Sequence, residues 1–275
     1  MSPPLPTSPP NGGEESEQRE GVVTKVIIEK NGPVKTVWMN RPEKRNALDS
    51  ELLSDMIAAL QAPVAAEDRV IVVRGKGNVF CAGLDMAERS KSAGAGKASG
   101  IEVMLRAIEL CPLPVVAVVQ GDAIAGGNEL ALHCDLVVAS DKARFGMSLA
   151  QVGLAPNWFL AKKLMEVLGP VTTREMLLLG DPLPSTKLHA LGLIARCVPA
   201  DQLEAEASKV INRLAANAPL SLKAMKALTV RQLEIRDGIK HDDVDALVVA
   251  AMQSQDAQEG MKARLEKRTA KFQGK

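Results

Sequence analysis

Three short runs constrain the fold more than anything else in this chain. Val70–Arg74 (VIVVR), Val115–Val119 (VVAVV) and Leu136–Ala139 (LVVA) are apolar at almost every position, not at every second one. A strand with one wet face alternates apolar and polar residues. A strand without a polar face must be covered on both sides, as in a parallel sheet between two layers. Helical signals stand between these runs. In SELLSDMIAALQ, Leu52, Met56, Ile57 and Leu60 fall on one helical face, and Asp49 or Ser50 is placed to cap the first turn. The alternation predicts an α/β fold with a mostly parallel sheet. Ahead of it, Val22–Glu29 and Val34–Met39 are β-rich runs separated by Asn31-Gly32-Pro33, a hairpin signal.

The chain has 275 residues, enough for one large domain or a domain with a helical appendage. With 46% hydrophobic and 24% charged residues it can bury a substantial core. Aromatic residues make up 2% and Tyr is absent, so that core must come from Leu, Val, Ala, Ile and Met. Lys and Arg total 34 against 33 Asp and Glu, which argues against a nucleic-acid partner, and few rings are available for base stacking. No run approaches the roughly 18 apolar residues of a membrane span. Residues 1–21, rich in Pro, Ser and Glu, lack both an apolar leader core and the Arg-rich character of a transit peptide. They read as a disordered tail on a cytoplasmic protein. Cys81, Cys111, Cys134 and Cys197 form no CxxC pair and read as buried free thiols. His133, His189 and His241 form no metal-ligand cluster, so no metal is expected.

The stretch Glu88–Gly100 (ERSKSAGAGKASG) reads as a flexible loop beside a ligand site. From about Leu160 strand signals nearly vanish. Leu203, Ala207, Val210, Ile211 and Leu214 recur at helical spacing, as do Leu220, Ala224, Ala227 and Leu228. Such stripes serve the core of their own chain first and a subunit interface second. The expected organisation is a tail (1–21), an α/β core (22–200) and a helical C-terminal region (201–275).

Two glycine-centred turns carry the chemistry. Phe80-Cys81-Ala82-Gly83-Leu84-Asp85 follows VIVVR, and Gly121–Glu129 (GDAIAGGNE) follows VVAVV and runs into a helix. A helix start leaves unpaired N–H groups, and these with the helix dipole suit an oxygen that gains negative charge. The glycines also serve tight turns and close packing. Neither turn has the GxGxxG or GxxxxGK(S/T) spacing of a nucleotide-phosphate loop. Glu129, in the first turn of its helix, suits the helix dipole as such a carboxylate often does, and would also lie close to these donors, where a base is useful.

These residues resemble the crotonase (enoyl-CoA hydratase/isomerase) superfamily, whose members carry NRP…NAL, FxAGxD, GxAxGGGxE(L/F)A and FG…GxxP in that order. Here they stand as Asn40-Arg41-Pro42 with Asn46-Ala47-Leu48, FCAGLD, GDAIAGGNELA, and Phe145-Gly146 with Gly153-Leu154-Ala155-Pro156. Glu259-Gly260-Met261 and Glu266-Lys267-Arg268 are similar to the family's close. The resemblance implies a repeated ββα spiral with a C-terminal trimerisation region, hence a homotrimer or hexamer. It implies an acyl-CoA thioester as ligand, with coenzyme A part of the substrate and no separate cofactor. The backbone N–H groups of Leu84 and Gly126 map onto the oxyanion hole, and Glu129 onto a catalytic acid/base. Lys44 and Arg45 lie where family members approach the CoA nucleotide. Ala47, Ala82, Asp85, Met86, Gly127, Leu149 and Trp158 complete the implied substrate-binding set.

One position departs from the pattern. Family hydratases hold their water between two glutamates, and the second falls four residues after the Phe of FGxPE. In FGMSLAQVG that residue is Leu149, which can neither give nor take a proton. Gln151 and Asp122 lie nearby in sequence, with no sign that either substitutes. Ala155-Pro156-Asn157-Trp158 is similar to the APxW of some enoyl-CoA isomerases. Three readings follow: a CoA-thioester lyase of the hydratase type, an isomerase or other enolate-forming enzyme using one carboxylate, and an acyl-CoA binding protein without turnover.

Overall fold

The computed structural model describes residues 24–89 and 100–275. The expected tail and most of the Glu88–Gly100 loop lie outside the described residues.

Among the described residues nine strands follow one another: β1 (Val26–Asn31), β2 (Val34–Met39), β3 (Val70–Gly75), β4 (Val115–Val119), β5 (Ala123–Ile124), β6 (Leu136–Ser140), β7 (Arg144–Gly146), β8 (Leu183–Pro184) and β9 (Arg196–Val198). The main sheet has the order β1-β2-β3-β4-β6-β9, antiparallel only within the β1–β2 hairpin. A small sheet, β5-β7-β8, stands beside it. The hairpin forms as expected, with its first strand at Val26–Asn31, and Val22 and Val23 of the expected run lie outside the described residues. The final third does contain strand. Arg196–Val198 pairs with β6, a three-residue edge too short for any periodicity to register.

The helices are α1 (Ser50–Gln61), α2 (Met86–Arg89), α3 (Gly100–Leu110), α4 (Gly126–His133), α5 (Trp158–Arg174), α6 (Ser185–Ala190), α7 (Leu203–Ala216), α8 (Pro219–Leu233), α9 (Asp242–Gln253) and α10 (Gln255–Leu265). Asp49, and not Ser50, caps α1, its carboxylate accepting from Leu52 N at 2.9 Å. Helix α5 is broken at Gly169, where φ is +67°, just before Pro170.

The two-sided apolar runs have a direct structural cause. Along β3, Ile71 and Val73 face the main core, while Val70 and Val72 face a second core sealed by Leu203, Ala207 and Ile211 of α7. Along β4, Val115, Ala117 and Val119 take the first side and Val116 and Val118 the second. Strands β3 and β4 are therefore buried on both faces, as their sequence requires.

A long strand, a short one and a helix recur as the chain advances: β4, β5, α4, and then β6, β7 and the 3-10 turn Ala150–Val152 that leads to α5. The turn after β3 joins the same inner layer through isolated bridges, Cys81 to Ala123 and Leu84 to Leu48. This is a repeated ββα spiral with a helical C-terminal region.

The C-terminal helices differ among themselves. Helix α8 buries Lys226, not an apolar stripe: its Nζ donates to Ile108 O (2.8 Å), Leu113 O (3.1 Å) and Asp135 Oδ2 (2.7 Å). Leu220 and Leu228 of the expected stripe are exposed, at 80% and 62%, and Leu247 of α9 at 70%. Helix α10 packs its small residues Ala257, Gly260 and Ala263 against the 3-10 turn at Ala150–Val152. No helix among the described residues is long and apolar enough to cross a membrane. Cys81, Cys111 and Cys134 are buried free thiols as expected, and Cys197 is half-buried.

Candidate functional site

Local backbone chemistry brings three loops together. Leu48 N donates to Gly83 O (2.8 Å) and Asp85 N to Leu48 O (2.9 Å), so the turn after β3 is stitched to the segment before α1. Ala82 N donates to Arg45 O (3.0 Å), and Ile124 N to Cys81 O (2.9 Å), which ties in the strand leading to α4. Glycine is required where these loops touch. Gly83 has φ +89°, and a Cβ there would lie 2.9 Å from both Ala125 Cβ and Ile124 O and 3.0 Å from Gly126 N. A Cβ on Gly127 would meet Cys81 O at 2.1 Å. Ala125, with φ +50° and ψ −117°, holds the sharp strand-to-helix turn at a conformation that L side chains rarely adopt.

This crossing leaves two donors free. Among the described residues no acceptor takes the N–H of Leu84 or of Gly126, the first residue of α4. Glu129 sits one turn further, fully buried, and neither of its carboxylate oxygens has a hydrogen-bond partner. Burial pushes its carboxyl well above the usual carboxylate range, and Lys163 pulls it back only in part. A buried acid without partners costs stability, and packing alone does not call for one there.

The remaining candidates occupy several places. Lys44 is exposed; Arg45, also exposed, lies 3.6 Å from Asp122. Ala47 is half-buried, and its carbonyl accepts from Arg41 Nη1. Asp85 pairs with Arg41 (3.3 Å) and caps α2 through Ala87 N (3.1 Å), while Met86 opens that helix. Leu149 heads the 3-10 turn and packs against the main core and the Val152–Leu154–Ala257 cluster. Trp158 lies elsewhere. It begins α5, stacks on His241 with centroids 4.5 Å apart, and lines a cavity of about 700 Å³ that no other candidate lines. That cavity lies between α1, α3 and Phe159.

Neither sequence neighbour of the missing carboxylate serves Glu129. Asp122 accepts two bonds from Arg144 (2.9 and 2.7 Å), and Gln151 donates to Leu179 O and Asp181. The polar groups that do face Glu129 are ones the motifs did not mark. His133 Nδ1 is 3.6 Å from Glu129 Oε2, His133 Nε2 is 3.9 Å from Glu109 Oε1, and Glu109 holds Lys163 at 2.7 Å. The spacing of Glu129 and His133, four apart on one helix, was visible in the sequence. Glu109 on α3 and Lys163 on α5 meet them only through tertiary packing.

Comparison with known proteins gives the same family that the motifs suggest. The family model described as enoyl-CoA hydratase/isomerase matches residues 29–275. The enoyl-CoA hydratase EchA19 of Mycobacterium tuberculosis is 31% identical over 258 residues, which span 90% of this chain and 96% of that protein. The 2,3-dehydroadipyl-CoA hydratase of Escherichia coli is 30% identical over 259 residues, covering 92% and 100%. Among solved structures, an enoyl-CoA hydratase from Mycobacterium avium subsp. paratuberculosis superposes with TM-score 0.79 at 30% identity, covering 91% of this chain and 99% of that one. A methylmalonyl-CoA decarboxylase complexed with 2S-carboxypropyl-CoA superposes at 0.86 with 25% identity, covering 92% and 99%. This chain belongs to the enoyl-CoA hydratase/isomerase family and has the crotonase α/β fold.

Proposed function

We propose that this protein is an acyl-CoA thioester enzyme of the enoyl-CoA hydratase type, with Glu129 as its acid/base. The observation that carries the reading is the fully buried, unpartnered Glu129 carboxyl, one turn behind the free N–H of Gly126 and beside the turn that bears the free N–H of Leu84. Two preorganised donors aimed at a thioester oxygen stabilise it as it becomes enolate-like, by about 3–4 kcal/mol each. An acid kept protonated by burial can deliver its proton to carbon or to the departing oxygen, and take one back in the reverse direction. Leu84, Met86 and Leu149 suit an apolar acyl group, and exposed Lys44 and Arg45 suit the phosphates of CoA.

A second reading is favoured by Leu149. With no second carboxylate at Glu129, an isomerisation that moves one proton between carbons of the same enolate needs only the group present. A binding protein without turnover is the least supported reading, since it gives the buried acid no role. The proposed assembly is a homotrimer or hexamer, supported by the exposed leucines of α8 and α9. The free thiols fit a reducing, cytoplasmic compartment.

The deciding measurement is a spectrophotometric comparison of crotonyl-CoA hydration with 3-enoyl-CoA isomerisation by the purified protein. Hydration as the faster reaction supports the first reading, isomerisation alone the second. Neither, with acyl-CoA still bound, supports the third.

A further inference from the structure

His133 is an expensive residue for its position. Its ring is buried next to Leu130, Ala131 and Leu132 on α4, where a leucine would pack without polar atoms. Nδ1 lies 2.8 Å from the carbonyl oxygen of Glu129, and because a carbonyl only accepts, Nδ1 carries the proton. The same N–H is 3.6 Å from Glu129 Oε2, while the bare Nε2 has no hydrogen-bond partner. Phe159 stacks on the ring, centroids 5.4 Å apart at 27°, and limits its rotation.

We propose that His133, backed by the Glu109–Lys163 pair, is a positioning residue for Glu129: its Nδ1–H is the donor that turns to the Glu129 carboxylate when that group ionises. The inference rests on the reading of Glu129 as acid/base. A shift of under 1 Å turns the 3.6 Å separation into a hydrogen bond. Catalytic hydrogen bonds are often this long before substrate binds. Without such a donor, ionised Glu129 would have no hydrogen bond, and only the charge of Lys163 would favour its anion.

The charges around the pair define opposite effects for different substitutions. Helix α3 brings Arg106 and Glu109, and α5 brings Lys162, Lys163 and Glu166. Strands β5 and β6 contribute no titratable side chain. Arg106 is shared with Glu234, and Lys162 is taken by Asp237. Burial would raise the Glu109 carboxyl, but Lys163 and Arg106 hold it below the usual range, so it faces Lys163 as an anion. Burial, reinforced by Lys163, pushes His133 down to about 3, so the ring is neutral and acts as a donor, not as a charge. Removing the donor therefore raises the Glu129 midpoint. Removing the Glu109 charge leaves Lys163 unopposed and lowers it.

The test follows the Glu129 carboxyl by carbon-13 NMR titration, alongside the pH–rate profile with acyl-CoA, in H133L, H133N and E109Q. Each variant is first checked by thermal melting. We expect H133L to raise the midpoint by about one pH unit and E109Q to lower it by a similar amount, the usual size for a lost hydrogen bond or charge. H133N should stay near the parent, because its amide nitrogen reaches the place of Nδ1. A folded H133L with an unmoved midpoint overturns the proposal, as does a shift of H133L and E109Q in the same direction. If H133L does not fold, H133N and E109Q decide: a displaced H133N midpoint, or an E109Q midpoint that is unmoved or raised, is equally fatal. If E109Q does not fold, K163Q replaces it and must raise the midpoint. If E129Q keeps full activity, it is the acid/base reading that falls, and the NMR midpoints still judge His133.

Discussion

Glu129 is a fully buried acid whose two carboxylate oxygens have no hydrogen-bond partner among the described residues. Its replacement by Gln removes the proton and keeps the shape. We expect E129Q to lose about 10²–10⁴-fold in turnover, the worth of one positioned acid–base group, with CoA-ester affinity within several-fold of the parent. Stability should move the other way. The folded-state carboxyl is raised above its unfolded value, so folding is undisturbed at acid pH, where both states hold the proton. As pH rises past the unfolded value, the unfolded chain releases its proton while the native site resists, and stability falls. E129Q should therefore melt higher than the parent at neutral pH, the difference closing on acidification below the ordinary carboxylate range, as thermal scans across pH will show. Leu149 is the converse residue. L149E would add a second carboxylate, and two acids near one water repel, so that one becomes a proton donor. Crotonyl-CoA hydration should rise, by up to roughly 10²–10⁴-fold, in protein that a thermal melt shows to be folded. A folded L149E that binds CoA ester with no gain in hydration would mean that more than one missing carboxylate separates this chain from two-glutamate hydratases.

Among the elements, the crossing of the β3 turn with the α4 start and the anchoring of α8 depend on opposite physics. The crossing depends on missing atoms, since Gly83 and Gly127 leave room for backbone to approach backbone. The anchor depends on one buried charge. Lys226 neutralises Asp135 and satisfies the carbonyls of Ile108 in the last turn of α3 and of Leu113 just beyond it, and Asp135 also accepts from Val115 N (2.7 Å) at the start of β4. K226M keeps the length of the side chain and abandons all three acceptors. Breaking a fully buried pair costs about 3–5 kcal/mol, and since Asp135 is partly exposed, roughly 2–3 kcal/mol is expected here. The denaturation midpoint of K226M against the parent measures it. Loss of α8 from the core should be visible as faster amide exchange along that helix.

At the scale of the whole molecule, the central strands are sealed on both faces while the outer helices keep apolar surface to spare. Leu220, Leu228, Ile235 and Leu247 are all more than half exposed on α8, α9 and the turn between them. Isolated exposed leucines are ordinary, but a set of this size on consecutive elements supports the proposed homotrimer or hexamer. Closed symmetry is the usual way for identical chains to cover such faces. The expected mass by light scattering at micromolar concentration is that of a trimer or hexamer, and a monomeric mass would refute it.

The strands β1 to β4 and β6, a cap of α1 at Asp49 or Ser50, and the two glycine turns could be read from local chemistry in the chain, whereas the role of Glu129 and the gap at Leu149 were implied by the family resemblance. Apolar runs without alternation must be buried on both faces. A carboxylate three residues behind Ala125-Gly126 must fall in the first turn of the helix that begins there. Local chemistry was not enough for the stripe of α8, where helical spacing suggested a core-facing row and the structure buries Lys226 instead. Nor could it show that Trp158 lines a cavity that none of the other candidates lines, or that Asp85 is spent on Arg41 and the cap of α2. Those outcomes depend on which elements become neighbours, and that is decided by the closure of the whole spiral. The environment of Glu129 belongs to the same class. Glu109 and Lys163 are 20 and 34 positions away from it in the chain. Only the packing of α3 and α5 against α4 brings their charges to the buried acid, and burial is what makes those charges matter.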